Sequence, residues 1–99
     1  MSVYFVAQIT IHDEAEYGKY LQEVDDVFSR FNGKYLAVDS NPTVLEGEWN
    51  HGRMVLIEFP DQVAFEEWYT SPEYRRILRH RLNGAKCDTV LVRGLINES

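Results

Sequence analysis

Residues 3–11, VYFVAQITI, carry β-branched or aromatic side chains at most positions and stop at His12-Asp13, which predicts a strand. The period then changes. Tyr17, Tyr20, Leu21, Val24, Val27, Phe28 and Phe31 recur at helical spacing, and Asp13 with Glu16 three residues later supplies a capping-box-like start. Asn32-Gly33 is the expected stop, because either residue accepts the left-handed backbone that often ends a helix. KYLAVD predicts a second strand, with TVLEGEW as its extension beyond the Asn41-Pro42 break. Asn50-His51-Gly52 provides turn chemistry ahead of RMVLIEF, so a hairpin is expected with His51 solvated in its turn. Pro60-Asp61 opens a helix bearing Ala64, Phe65, Trp68 and Tyr69, and Ser71-Pro72 restarts it, with serine as N-cap and proline at the first helical position. The restarted piece places Tyr74, Ile77, Leu78 and Leu82 on one face. Asn83-Gly84 closes it, and CDTVLVRGL predicts the last strand.

The order β-α-β-β-α-β specifies an α+β domain of the ferredoxin-like, split βαβ kind: a four-stranded antiparallel sheet with two helices on one face. Such a sheet should alternate apolar and polar residues, its polar set facing water. Here one parity of the first strand gives Val3, Phe5, Ala7 and Ile9, the other Tyr4, Val6, Gln8 and Thr10. In the third strand Val55, Ile57 and Phe59 stand against Met54, Leu56 and Glu58. Both faces are substantially apolar, and two helices cover only one. A homodimer joined sheet to sheet is therefore expected.

Ninety-nine residues support one core, and residues 1–96 read as a single domain followed by a short tail at 97–99. Apolar residues at 44% and aromatics at 13% are ample for packing and exclude disorder. A formal charge of −6 argues against nucleic acid or an anionic membrane as partner. The lone Cys87 allows no internal disulfide, and no signal-like or membrane-length apolar run is present, so a cytoplasmic setting is expected.

The segments VLEGEW, VLIEFP and WYTSPEYR, in that order and spacing, resemble the bacterial domain-of-unknown-function family 1330, over nearly the whole chain. That family resembles the dimeric α/β-barrel superfamily, in which two ferredoxin-like sheets pack face to face. The superfamily includes cofactor-independent monooxygenases of polyketide quinones, muconolactone isomerase-like enzymes, haem-dependent dismutases and stress-response barrels. The resemblance implies the fold and the dimer. It assigns no reaction, because one fold hosts many sites.

Glu58 stands among Leu56, Ile57 and Phe59, where a half-buried carboxylate is costly unless paired or protonated. It is a candidate general base; alternatively it is a structural group bonded across the dimer to Arg53, Arg93 or a tyrosine hydroxyl. Trp68, Tyr69 and Tyr74 straddle the helix break and could wall a ligand pocket with flat apolar surfaces and polar tips, though Trp68 also has ordinary core spacing. The candidate catalytic set is Glu58, Tyr69 and Tyr74, with Trp68, Arg53 and His80 as candidate substrate contacts. Arg75, Arg76, Arg79, His80 and Arg81 form a basic cluster that could meet an acidic ligand, or could simply face water and offset the helix dipole. His80 has no partner evident in the sequence.

His12, His51 and His80 lack metal-ligand spacing, a haem site has no sequence support, and no glycine-rich phosphate loop or nucleophile elbow is present, so no metal or cofactor is expected. Glu46 and Glu48, on one face of the expected strand extension about 7 Å apart, read as edge charge rather than acid/base machinery. Two functions fit: a cofactor-independent isomerase or monooxygenase acting on a small, partly apolar substrate, or a noncatalytic homodimeric module for small-molecule binding or stress.

Overall fold

The computed structural model describes residues 1–50 and 52–95, so His51 and the 97–99 tail lie outside the described residues. Seven elements follow in order: β1 (Val3–Ile11), α1 (Glu14–Phe28), β2 (Lys34–Asp39), β3 (Arg53–Phe59), α2 (Gln62–Tyr69), α3 (Pro72–Gly84) and β4 (Ala85–Arg93). The strands form one sheet in the order β2-β3-β1-β4. Every neighbouring pair is antiparallel, with Phe5 opposite Ile57 on one side and Leu91 on the other. This is the expected ferredoxin-like α+β architecture.

Side chains that start helices do so by satisfying backbone N–H groups that lack a partner within the helix. Asp13 Oδ1 accepts from the Glu16 N–H at 3.1 Å, Asp61 Oδ1 from Ala64 at 2.8 Å, and Ser71 Oγ from Tyr74 at 3.1 Å. The restart at Ser71-Pro72 makes α2 and α3 separate helices, giving a helical layer of three. The capping box at α1 is half formed, since the Glu16 carboxylate turns to His80 and Lys19 instead of back to the cap.

Strand parity divides the sheet. Val3, Phe5, Ala7 and Ile9 of β1 and Val55, Ile57 and Phe59 of β3 are buried beneath the helices. Trp68, Tyr74, Phe59 and Ile77 are the largest fully enclosed side chains, and Trp68 stands with ring centroids 4.1 Å from Tyr74 and 5.5 Å from Phe59. The opposite parity, Tyr4, Val6, Gln8, Met54, Leu56 and Glu58, occupies a face that no helix covers.

Three expectations are corrected. TVLEGEW is irregular rather than strand: Asp39 is the last residue of β2 and lies opposite Met54, next to the start of β3, so the sheet offers the chain no further partner. Asp39 Oδ1 then accepts the Asn41 N–H at 2.9 Å and turns the backbone away. Glu46 and Glu48 are thus not on a strand. Second, Gly33 is not left-handed; α1 already ends at Phe28, and a Cβ at Gly33 would lie 2.5 Å from the Phe28 ring and 2.7 Å from Phe59. Third, Leu82 is exposed, and the inward position of that helical turn belongs to Arg81.

Candidate functional site

A cavity of about 400 Å³ lies between the sheet and the helices. Its walls are largely the inward parity of the central strands, Phe5, Ala7 and Ile9 with Val55 and Ile57, closed by Trp68. Helix α1 adds Tyr17, Tyr20 and Val24, because residues three and four apart share a helix face. Leu21, Asp25 and Val38 also line it and are exposed, which places the mouth between α1 and the edge strand β2. The volume falls within the range of small-molecule sites, about 300–1,000 Å³.

Polar groups converge on this apolar space. The Tyr20 and Tyr74 hydroxyls are 2.7 Å apart and buried. Tyr35 comes from β2, Arg53 from the start of β3 and Arg81 from the last turn of α3. Burial pushes the Tyr20 hydroxyl well above its ordinary value of 10.0 and raises those of Tyr17, Tyr35 and Tyr74. These hydroxyls are neutral hydrogen-bond donors at physiological pH, not bases. Arg81 is 3% exposed. Burial pulls its pKa down, but Tyr74, Tyr20 and Cys87 beside it outweigh burial and leave it raised, so it carries a full charge. Its guanidinium also lies 6.0 Å from the Tyr20 ring centroid.

Several N–H groups here have no hydrogen-bond partner: Nε and Nη1 of Arg81, Nε of Arg53 and Nε1 of Trp68. Arg53 also donates through Nη1 to Ser40 Oγ at 3.2 Å. Asp25 is a carboxylate in the lining, beside Tyr35. Chemically the cavity offers donors and positive charge to an oxygen that bears or develops negative charge.

The residues singled out from the sequence separate. Trp68 and Arg53 line the cavity. Tyr74 is fully buried and reaches it through Tyr20. Tyr69 sits outside, stacked on Phe65 at 5.2 Å and covered by the Arg75 guanidinium at 4.9 Å. His80 has found a partner, Glu16 Oε2 at 2.7 Å from Nδ1, in a bridge between α3 and α1. Glu58 lies on the uncovered face, opposite Tyr4 and Lys34 in register, and its Oε2 accepts the Tyr4 hydroxyl at 3.2 Å. That bond holds the Tyr4 hydroxyl above its ordinary value of 10.0. Glu58 and the pair Tyr69 and Tyr74 therefore stand on opposite sides of the sheet and do not form one constellation.

Tyr20, Tyr35 and Asp25 are site residues that the sequence reading did not single out, and Arg81 was read there only as one member of a basic cluster. A signal existed for Arg81: it stands at i+7 from Tyr74 on the stripe that also holds Ile77 and Leu78, a buried position for a charged residue. Among the described residues no group of three His, Cys, Asp or Glu could hold a metal ion, and no helix is long and apolar enough to cross a membrane.

A family model described as "Domain of unknown function (DUF1330)" matches residues 2–95. No curated protein matches the chain. Among solved structures, a protein of unknown function from Rhodopseudomonas palustris superposes with a TM-score of 0.78 at 19% identity, covering 97% of this chain and 84% of that one. A dimeric ferredoxin-like protein of unknown function from Jannaschia sp. also gives 0.78, at 12% identity over 95% of this chain and 100% of that one. SnoaB, a cofactor-independent oxygenase from Streptomyces nogalater, gives 0.65 at 19% identity over 97% and 95%. At these identities the likeness is one of fold.

Proposed function

Since the chain belongs to the DUF1330 family, whose members share a domain of unknown function, we propose from the cavity itself that it is a cytoplasmic homodimer acting on a small, partly apolar molecule without a cofactor. The observation that carries this is the helix–sheet cavity, in which apolar walls meet neutral tyrosine hydroxyls and two guanidinium groups. A site so furnished stabilises an enolate-like oxyanion. Isomerisation would pass a proton from one carbon to another through such a species, and a cofactor-independent oxidation would add dioxygen to it. Asp25, the carboxylate in the lining, is the candidate to take and return the proton.

The dimer joins the uncovered sheet faces. Val90, Val6 and Leu56 lie in one row across β4, β1 and β3, and Val90 is 58% and Val92 45% exposed in the single chain. Likeness to ferredoxin-like proteins described as dimeric supports this arrangement. A second reading, a noncatalytic module, draws on the bond between Glu58 and Tyr4, which uses the sequence's most conspicuous carboxylate on the dimer face rather than in the cavity.

The test is an amide-shift titration of the protein with a panel of small aromatic ketones and acids. Shifts centred on Tyr20, Tyr35, Val55 and Trp68 support a ligand site in the cavity; shifts confined to the uncovered face, or none, overturn it. Exchange of the carbon-bound proton of a bound ketone with deuterated solvent, lost in Asp25→Asn, separates the enzyme from the module.

A further inference from the structure

The cavity holds a cation that the protein answers only in part, through Tyr74 and Cys87 beside it. Arg81 is buried to within a few per cent, yet two of its three nitrogens have no hydrogen-bond partner. No carboxylate among the described residues pairs with it. Among the described residues the ion pairs lie elsewhere: Glu23 with Arg76 at 3.0 Å bridges α1 and α3, as does the Glu16–His80 hydrogen bond at 2.7 Å, while Lys19 pairs with Glu16 and Arg30 with Asp26. The C-terminal turn of α3 offsets part of the cost of that charge through the helix dipole, but a dipole does not satisfy N–H donors. A buried, charged and under-bonded guanidinium is costly to keep, and it sits on the wall of the helix–sheet cavity.

We propose that the cavity takes an aromatic or alicyclic monocarboxylate, and that the Arg81 guanidinium, seconded by Arg53, is the group that binds its carboxylate. This rests on the small-molecule reading above and narrows it to a ligand class. Arg53 approaches the same space from the sheet with its Nε unpartnered. Tyr20 completes the pocket for the anion: when the Tyr74 hydroxyl donates across their 2.7 Å contact, Tyr20 retains its own hydrogen for a ligand oxygen. Phe5, Val55, Ile57 and Trp68 give the carbon skeleton flat apolar walls. A phosphate fits less well, because no glycine-rich backbone nest lines the site and the Asp25 carboxylate at the mouth opposes a dianion.

The experiment is calorimetric titration of the full chain with 2-naphthoate and with its neutral isostere 2-naphthamide, repeated on Arg81→Met. The acid should bind the native protein at least about tenfold more tightly than the amide, the usual scale of one charge-assisted contact. In Arg81→Met the acid should lose most of its advantage over the amide, Arg53 keeping the remainder, while the amide is unchanged and the melting temperature is unchanged or higher, since an under-bonded buried charge has been removed. Equal binding of acid and amide by the native protein overturns the carboxylate inference and leaves the cavity reading standing. Binding of neither brings down both. Full acid preference retained in Arg81→Met overturns the assignment to Arg81; should that variant not fold, the native acid-to-amide ratio still decides the ligand class.

Discussion

Single residues show how little slack this fold has where backbones meet. The Gly84 carbonyl accepts the N–H groups of both His12 and Asp13 at 3.0 Å, and a Cβ there would lie 2.7 Å from the Tyr17 backbone nitrogen. Gly84→Ala should therefore destabilise the protein by about 1–3 kcal/mol, because the clash is with backbone that cannot rotate away. Gly18, inside α1 with nothing within 4 Å of its virtual Cβ, is the control: Gly18→Ala should stabilise by about 0.5–1 kcal/mol. Urea midpoints at constant slope check both. The buried tyrosines make a second prediction. Tyr17, Tyr20, Tyr35 and Tyr74 all have folded values above 10.0 because burial disfavours the phenolate. Their contribution is complete below pH 10.0 and is lost as the pH rises above it, because the unfolded chain then releases protons that the folded one keeps. Tyrosinate absorbance should therefore rise together with loss of the far-ultraviolet circular dichroism, and early ionisation of these four in the folded protein would contradict the burial argument.

At the scale of elements, the two longer helices are tied by polar contacts as well as packing. The Glu16 carboxyl lies below its ordinary value of 4.5, chiefly through His80 and then Lys19. Its folded value is below its unfolded one, so the contribution is present above pH 4.5 and is lost as the pH falls through the folded value. Glu16→Gln should lower stability modestly in the neutral region and flatten the acid limb, so that the two proteins converge at low pH. The break between α2 and α3 depends on Ser71, whose Oγ accepts from Tyr74 N–H and donates to the Trp68 carbonyl at 2.8 Å. Ser71→Ala should cost about 1–2 kcal/mol, read as a lower thermal midpoint, and more than Asp13→Ala at the exposed cap of α1. These elements were legible in the chain because each is encoded locally: β1, β2 and β3 follow the runs VYFVAQITI, KYLAVD and RMVLIEF, and the caps stand where aspartate and serine precede apolar periodicity. TVLEGEW misled because its composition is that of a strand, while strand formation there needs a partner that β3 is too short to give. The site was less legible for a related reason. Trp68 and Arg53 were in view, but Arg81 was hidden within a run of basic residues, and only its place on the Tyr74-Ile77-Leu78 stripe distinguishes it from its solvated neighbours Arg75, Arg76 and Arg79.

For the whole molecule, the sheet is a partition with the helix–sheet cavity on one side and an uncovered apolar face on the other. If two copies join through that face, Val90→Lys should be mild for the isolated fold, where Val90 is 58% exposed, yet weaken association by at least about 2 kcal/mol by forcing a charge into the contact. Sedimentation at micromolar concentration should then show monomer where the parent chain shows dimer; an unaltered dimer would place the contact elsewhere. Glu58→Gln should weaken association less, since it keeps an acceptor for the Tyr4 hydroxyl. The alternating pleat also bears on how this sequence can change over generations. In β1 and β3 neighbouring residues answer to different demands, so substitutions at Val55 and Ile57 can reshape the cavity without touching the uncovered face, and those at Met54 and Leu56 the reverse. Substitution keeps the two histories apart, whereas losing one codon inside β3 exchanges them, turning Leu56 or Glu58 toward the cavity and Ile57 toward the uncovered face. The length of that strand should accordingly be inherited more strictly than its spelling.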